Sequence, residues 1–215
     1  MTKQQAFIRA HTLPAFPPAC REIELYLASE ITPLWHATEE FLARNNLPPP
    51  YWAFPWVGGQ ALARHILDNP QLVAGKRVLD FAAGCGIVAI AAAKAGASRV
   101  EAAEIDDMAI AAIALNASAN GVSVGLCAEN VLEKADCPWD VIFAGDVCYE
   151  KPMAEKVFAW MRSCSRNGAK VMMADPGRAY LPTTGLMRLA EMTVACSLEL
   201  EDRESREVGI YQIVG

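Results

Sequence analysis

The sequence predicts an α/β chain built on a mostly parallel sheet with helices on both faces. Three observations predict it. Strand-like and helix-like patterns alternate from Lys76 onward, a glycine-rich turn joins the first strand to its helix, and two adjacent extended segments close the chain. At 215 residues the chain suits one domain with an N-terminal addition, read as a helical appendage over 1–50 and a main domain over 51–215. A hydrophobic fraction of 53% with 20% charged residues argues against disorder.

In the appendage, Glu22 to Glu30 and Leu34 to Asn45 carry mixed helical faces, and Leu47-Pro48-Pro49-Pro50 ends them. The aromatic stretch Tyr51-Trp52-Ala53-Phe54-Pro55-Trp56 follows. Gly58 to Leu67 reads as a helix stopped by Asp68-Asn69-Pro70. Arg77 to Phe81 is a short buried strand, and Gly86 to Lys94 is a helix ended by Gly96. Arg99 to Ile105 is a second strand. Met108, Ala111, Ala112, Leu115 and Ala119 then keep helical spacing, with Asp106 or Asp107 as cap and Gly121 as stop. Further strands are expected at Ser123–Ala128, Asp140–Gly145 and Lys170–Ala174, with a helix over Pro152–Cys164. Val194 to Leu200 and Val208 to Val214 complete the chain as a hairpin, which gives the sheet an antiparallel last strand.

The composition narrows the partners. A net charge of −6 and the lack of any Lys/Arg block speak against nucleic acid. The longest near-apolar run, Phe81 to Ala93, is too short to cross a membrane, and Met1 to Gln5 does not resemble a targeting signal. Seven scattered cysteines without a C-x-x-C pair read as reduced thiols, so a cytoplasmic protein is expected. His11, His36 and His65 are too dispersed to suggest a metal site.

In an open α/β sheet, ligands sit at the carboxyl ends of the strands. Three turns there carry chemistry. Asp80-Phe81-Ala82-Ala83-Gly84-Cys85-Gly86 lets backbone approach a ligand beside a helix N-terminus. Glu104-Ile105-Asp106 offers a carboxylate to ribose hydroxyls. Gly145-Asp146-Val147-Cys148-Tyr149 brings an acid and a phenol to the same cleft. Gly84-Cys85-Gly86-Ile87-Val88-Ala89 also fits a dinucleotide fingerprint with Glu104 downstream, which keeps an NAD(P) oxidoreductase open. Asp80 at the strand end would face a pyrophosphate with an unfavourable charge, and the closing hairpin is foreign to that fold.

Val78 to Gly86 resembles the first motif of the class I, seven-β-strand S-adenosylmethionine-dependent methyltransferases, D-x-G-x-G-x-G, with Ala82 at the first glycine position. Trp56-Val57-Gly58-Gly59-Gln60, Glu104-Ile105-Asp106 and the D-x-x-Y set Asp146 to Tyr149 are similar to the protein-lysine methyltransferase subgroup. Within it, the pattern resembles the bacterial relatives of the electron transfer flavoprotein beta-subunit lysine methyltransferases. The likeness runs from about Phe7 to the chain end.

The resemblance implies a Rossmann-like, seven-stranded sheet with its last strand antiparallel. It implies that Asp80, Gly84 and Gly86 face the methionine part of S-adenosylmethionine and Glu104 the ribose, with Ala82, Ile105 and Val131 also binding the cofactor. Asn130 falls where the adenine amine binds, standing in for a common Asp. Trp56 and Gly145 would line the cofactor. Asp146 and Tyr149 are the candidate catalytic residues, with Trp52, Phe54 and Arg178 against the substrate. The [DN]-P-P-[YF] signature of adenine and glutamine methyltransferases is replaced by Asp146-Val147-Cys148-Tyr149, which favours lysine as acceptor. The expected substrate is the electron transfer flavoprotein beta subunit, with no metal involved. Another acceptor (a ribosomal protein or a small amine such as nicotinamide) and a catalytically silent binding module are the other readings. Cys148 is expected to pack rather than react.

Overall fold

A computed structural model describes residues 1–36, 49–134 and 136–214. Helix α1 (Lys3–His11) starts from a capping box in which Thr2 and Gln5 satisfy each other's backbone N–H groups. The expected helix over Glu22–Glu30 is not formed. Strands β1 (Leu13–Ala15) and β2 (Leu25–Leu27) pair there as an antiparallel ribbon, with Leu13 opposite Leu27. Ile23, Leu25 and Leu27 are buried at every second position, which is a strand period rather than a helical one. Asn116 and Asn120 secure the ribbon by accepting hydrogen bonds from Tyr26 N and Glu24 N at 2.8 and 3.1 Å. The expected helix over Leu34–Asn45 lies for the most part outside the described residues.

The main sheet has seven strands: β3 (Arg77–Phe81), β4 (Arg99–Ala103), β5 (Gly125–Cys127), β6 (Val141–Gly145), β7 (Lys170–Asp175), β8 (Leu186–Ala195) and β9 (Ser205–Ile213). Their spatial order is β5-β4-β3-β6-β7-β9-β8. The first five run parallel, and β9 runs antiparallel to both its neighbours. The connecting helices are α2 (Val57–Asp68), α3 (Ile87–Lys94), α4 (Asp107–Ala119) and α5 (Lys151–Arg166). Asp106 caps α4, its side chain accepting from Met108 N at 2.8 Å.

Strand side chains alternate between two buried faces. Val78, Val141, Phe143, Met172 and Ala174 pack with α2 and α3, whereas Leu79, Ile142, Val171 and Met173 pack with Val157 and Met161 of α5. A third cluster joins Ile8, Trp52 and Phe54 to Ala109, Ala112 and Leu115 of α4, so the aromatic stretch is part of the packed body. Consecutive strands step one way from β3 to β5 and the other way through β6 and β7. That reversal opens a crevice above the carboxyl ends of β3 and β6.

The closing hairpin forms, but its first strand is Leu186–Ala195 rather than Val194–Leu200. Leu198–Glu201 instead makes one helical turn, α6, inside the connection. Strand β8 is a sheet edge with most residues at least partly exposed, so it carries no apolar alternation to read. Among the described residues, no helix is long and apolar enough to cross a membrane.

Candidate active site

A cleft of ≈ 700 Å³ lies over the carboxyl ends of the central strands. The Ala82–Gly84 turn, the β4 end at Glu104 and Ile105, the Asn130–Leu132 turn and the Gly145–Tyr149 loop form its walls. Tyr51, Trp52, Trp56 and Arg178 close one end.

The first wall depends on unusual backbone. Ala82 and Gly84 both lie in the left-handed region, at φ of 52° and 53°. At Gly84 the position of a Cβ is open space, so the glycine keeps the cleft wide as well as the turn tight. Ala82 occupies the same conformation at a steric cost of about 1–2 kcal/mol, which explains why its motif position usually holds glycine. Glu104 accepts from Gly84 N at 3.1 Å and from Ile105 N at 2.8 Å, so β4 and the glycine turn are tied together. Asp106 N also reaches Glu104, at 3.5 Å, and a carboxylate has roughly four acceptor sites, so capacity remains for a ribose hydroxyl. Asn130 caps the turn at Val131–Glu133 by accepting from Leu132 N at 3.2 Å, while its amide donates to Glu133 at 2.9 Å.

Asp80, Gly86 and Phe54 stand behind the walls. Asp80 is buried on the α2/α3 side of β3 and accepts from Ala89 N at 2.9 Å, which fixes the start of α3. Burial pushes its carboxyl up to about 7, against the Ala89 hydrogen bond and with a push from the Glu104 charge. Gly86 is the N-cap of α3, and a Cβ there would meet Ile113 at 3.1 Å. Phe54 backs Trp56, with ring centroids 6.1 Å apart.

The other end is held by one buried carboxylate. Asp146 follows β6 with φ of 57°. Its Oδ2 accepts from Gly58 N at 2.5 Å and from Gly59 N at 3.3 Å, so the first amides of α2 cap onto it. Its Oδ1 accepts from Nε and Nη2 of Arg178 at 3.0 and 2.7 Å. The two glycines of Trp56-Val57-Gly58-Gly59 make this possible. A Cβ on Gly58 would sit 2.5 Å from Asp146 Oδ2, and one on Gly145 would sit 2.7 Å from Gly59 N. Burial is the larger influence on Asp146 and pushes it up to about 6, with the Arg178 guanidinium pulling the other way. Burial also works against the Arg178 charge, but Asp146 and Glu201 outweigh it and hold the guanidinium above its ordinary value.

Around this pair stands an aromatic ring of residues. Arg178 lies over Trp56, 5.8 Å from the ring centroid, and Tyr51 stands 6.0 Å from both Trp56 and Tyr149. Trp56 Nε1 donates to Tyr51 O at 2.9 Å, which fixes the indole. Cys148 is buried in the core, and that burial pushes its thiol up to about 12.

Residues expected at the site from separate turns therefore meet in one cleft: Trp52, Trp56, Ala82, Gly84, Glu104, Ile105, Asn130, Val131, Gly145, Asp146, Tyr149 and Arg178. Sequence reasoning missed Met153 and Lys156, on the first turns of α5, and the buried Glu201. The α5 pair was findable, because a helix that follows a strand-end loop directly must present its first turn to that loop. Nothing local singled out Glu201.

A family model for the ribosomal protein L11 methyltransferases (PrmA) matches residues 61–147, the part that builds the glycine-turn end. The solved ribosomal protein L11 methylase of Lactobacillus delbrueckii subsp. bulgaricus superposes with a TM-score of 0.50. That match covers 72% of this chain and 77% of that one, and at 22% identity it speaks for the fold. The electron transfer flavoprotein beta subunit lysine methyltransferase of Xenopus laevis is 38% identical over 205 residues, covering 94% of this chain and 82% of that protein. The Homo sapiens protein of the same name is 35% identical over 191 residues, covering 88% and 71%. These relatives span both ends of the cleft, and with the fold and the site geometry they place the protein: the chain belongs to the electron transfer flavoprotein beta subunit lysine methyltransferase family.

Proposed function

We propose that this protein is an S-adenosylmethionine-dependent protein-lysine N-methyltransferase whose acceptor is the electron transfer flavoprotein beta subunit. One observation carries the reading. A cleft with a free-edged carboxylate and glycine turn at one end runs into an aromatic mouth at the other, where the buried Asp146 is already charge-matched by Arg178. The residues present fit the cofactor. Glu104 has capacity left for a ribose hydroxyl, Asn130 keeps a lone pair for an adenine amine, and Ile105, Val131 and Leu132 provide an apolar bed. When bound, S-adenosylmethionine supplies a methyl group on a sulfonium, open to in-line displacement by an amine.

The protein's own task is to deliver that amine neutral and aligned. A free lysine has a pKa of about 10.4, so its deprotonation at pH 7.4 costs about 4 kcal/mol. Tyr51, Trp52, Trp56 and Tyr149 disfavour the ammonium by excluding water. Arg178 adds to this, because its guanidinium cancels the Asp146 charge that would otherwise hold the cation. Asp146 and Tyr149 position the amine. Asp146 does so indirectly: Gly58, Gly59 and two nitrogens of Arg178 fill its acceptor sites, so it fixes the loop carrying Tyr149 and the Arg178 guanidinium around the amine without trapping it as an ammonium. The proton leaves through water at the mouth. The remaining acceleration is proximity in a dry, aligned site. Residues 51–215 are taken as the transfer domain with 1–50 appended, and the seven free thiols suit a cytoplasmic setting.

Incubation with purified electron transfer flavoprotein and labelled S-adenosylmethionine tests the proposal. Label is expected on beta-subunit lysines, with efficiency falling as salt rises, since a chain of net charge −6 attracts a lysine-bearing loop over a screening length of about 8 Å. Label confined to ribosomal proteins or small amines would keep the reaction class and overturn the substrate.

A further inference from the structure

Glu201 is a buried acid on the short helical turn between β8 and β9. Its side chain is 3% exposed, yet it touches two arginines. Arg178 Nη2 donates to Glu201 Oε1 at 2.8 Å and to Asp146 Oδ1 at 2.7 Å. On the other side, Arg206 Nε lies 3.2 Å from Glu201 Oε2, and Arg206 Nη2 donates to the Glu201 backbone oxygen at 2.8 Å. The result is a line of alternating charge, Asp146–Arg178–Glu201–Arg206, running from the cleft to the hairpin.

A charge this buried is tolerated only when paired and hydrogen-bonded. Asp146 alone does not position the arginine, because both its Arg178 contacts fall on one oxygen. A second carboxylate, accepting from the same Nη2, fixes the guanidinium plane, and planarity makes Arg suited to being held by two acids. We propose that Glu201 is a positioning residue for methyl transfer: it holds Arg178 at the nitrogen that also serves Asp146, and through Arg178 it sets the charge and orientation of Asp146 at the acceptor end of the cleft. The insertion between β8 and β9 is thus a working part of the acceptor site, although Glu201 is absent from the cleft walls. This rests on the lysine-methyltransferase reading above.

Glu201→Gln keeps the shape and removes the charge. Measured beside wild type, it is expected to lower kcat at least tenfold while S-adenosylmethionine binds within twofold of its wild-type Kd. A second readout needs no acceptor. In ¹⁵N-labelled protein, the Arg178 Nε–H that donates to Asp146 should exchange slowly with water, and Glu201→Gln should speed that exchange at least tenfold. Both changes are required. A normal kcat overturns the proposal, as does an unaltered Arg178 signal, and so do kcat and cofactor affinity falling in proportion, which marks general disruption. Glu191→Gln, in an exposed pair with Arg188 on the same hairpin, should alter neither readout. If Glu201→Gln does not fold, Arg178→Lys reads the link from the other side. Lysine keeps the charge but cannot hold the same fork on both acids, so unchanged kcat there is equally fatal. If wild type transfers no methyl to the flavoprotein, the functional reading fails, and the Arg178 exchange rate still decides the clamp.

Discussion

The two ends of the cleft are built by contacts of different reach. At the glycine-turn end, polar side chains serve backbone within 20 residues: Asn130 holds Leu132 N two residues on, Asp80 holds Ala89 N nine residues on, and Glu104 holds Ile105 N next to it and Gly84 N 20 residues back. At the acceptor end the contacts cross the chain. Asp146 meets Gly58 across 88 residues, and Arg178 reaches Asp146 across 32 and Glu201 across 23. The first end is a set of separately stable turns carried on the rigid parallel strands. The second is a single buried network, in which removing one member leaves another charge unpaired. Damage should therefore stay local at one end and spread at the other.

The sharpest break is expected from Asp146→Asn. An amide cannot accept from both Arg178 and the α2 amides, since one of its two ends is a donor. Turnover should fall on the order of 100-fold, and stability by about 3 kcal/mol or more, because Arg178 loses a buried partner. Affinity for S-adenosylmethionine, measured by calorimetry, should stay within a few-fold. A parallel loss of cofactor binding would place Asp146 at the cofactor end and erase the division between the two.

A smaller, local effect is expected from Glu104→Ala. Hydrogen bonds to a charged acceptor contribute about 1.5–3 kcal/mol, so cofactor affinity should weaken roughly tenfold or more. With cofactor saturating, kcat should recover to within a few-fold of wild type. Failure to recover would show the two ends to be coupled.

The smallest effect has the opposite sign. Ala82→Gly should raise thermal stability by up to about 1 kcal/mol, the relief of a left-handed alanine less the added freedom of glycine when unfolded. Cofactor affinity should hold or rise slightly. A destabilised Ala82→Gly protein would mean that the alanine methyl makes contacts worth more than the strain.

This difference in reach also decides what was readable. The strands β3, β4, β6 and β7, the helices after the first three of them, the glycine turn and the acids that follow the strand ends were all legible, since buried parallel strands read as short apolar runs and strand-end turns collect ligands. The N-terminal ribbon was misread because Ile23, Leu25 and Leu27 sit among charged residues that also fit a helical face. The hairpin's first strand was misplaced because β8, at the sheet edge, has little apolar surface to mark it.

What the sequence alone determined is therefore the parallel part of the sheet and the turns at its carboxyl edge, because each depends on a short run of residues or on one repeating pattern. Only the tertiary structure decided that Asp80 braces α3 from behind the cleft, that Gly58 and Gly145 are glycines so that α2 can rest its first amides on Asp146, and that Glu201 joins the acceptor end. Such roles arise where distant segments pack, and the energy of a buried charge depends on what surrounds it in space rather than on its neighbours along the chain.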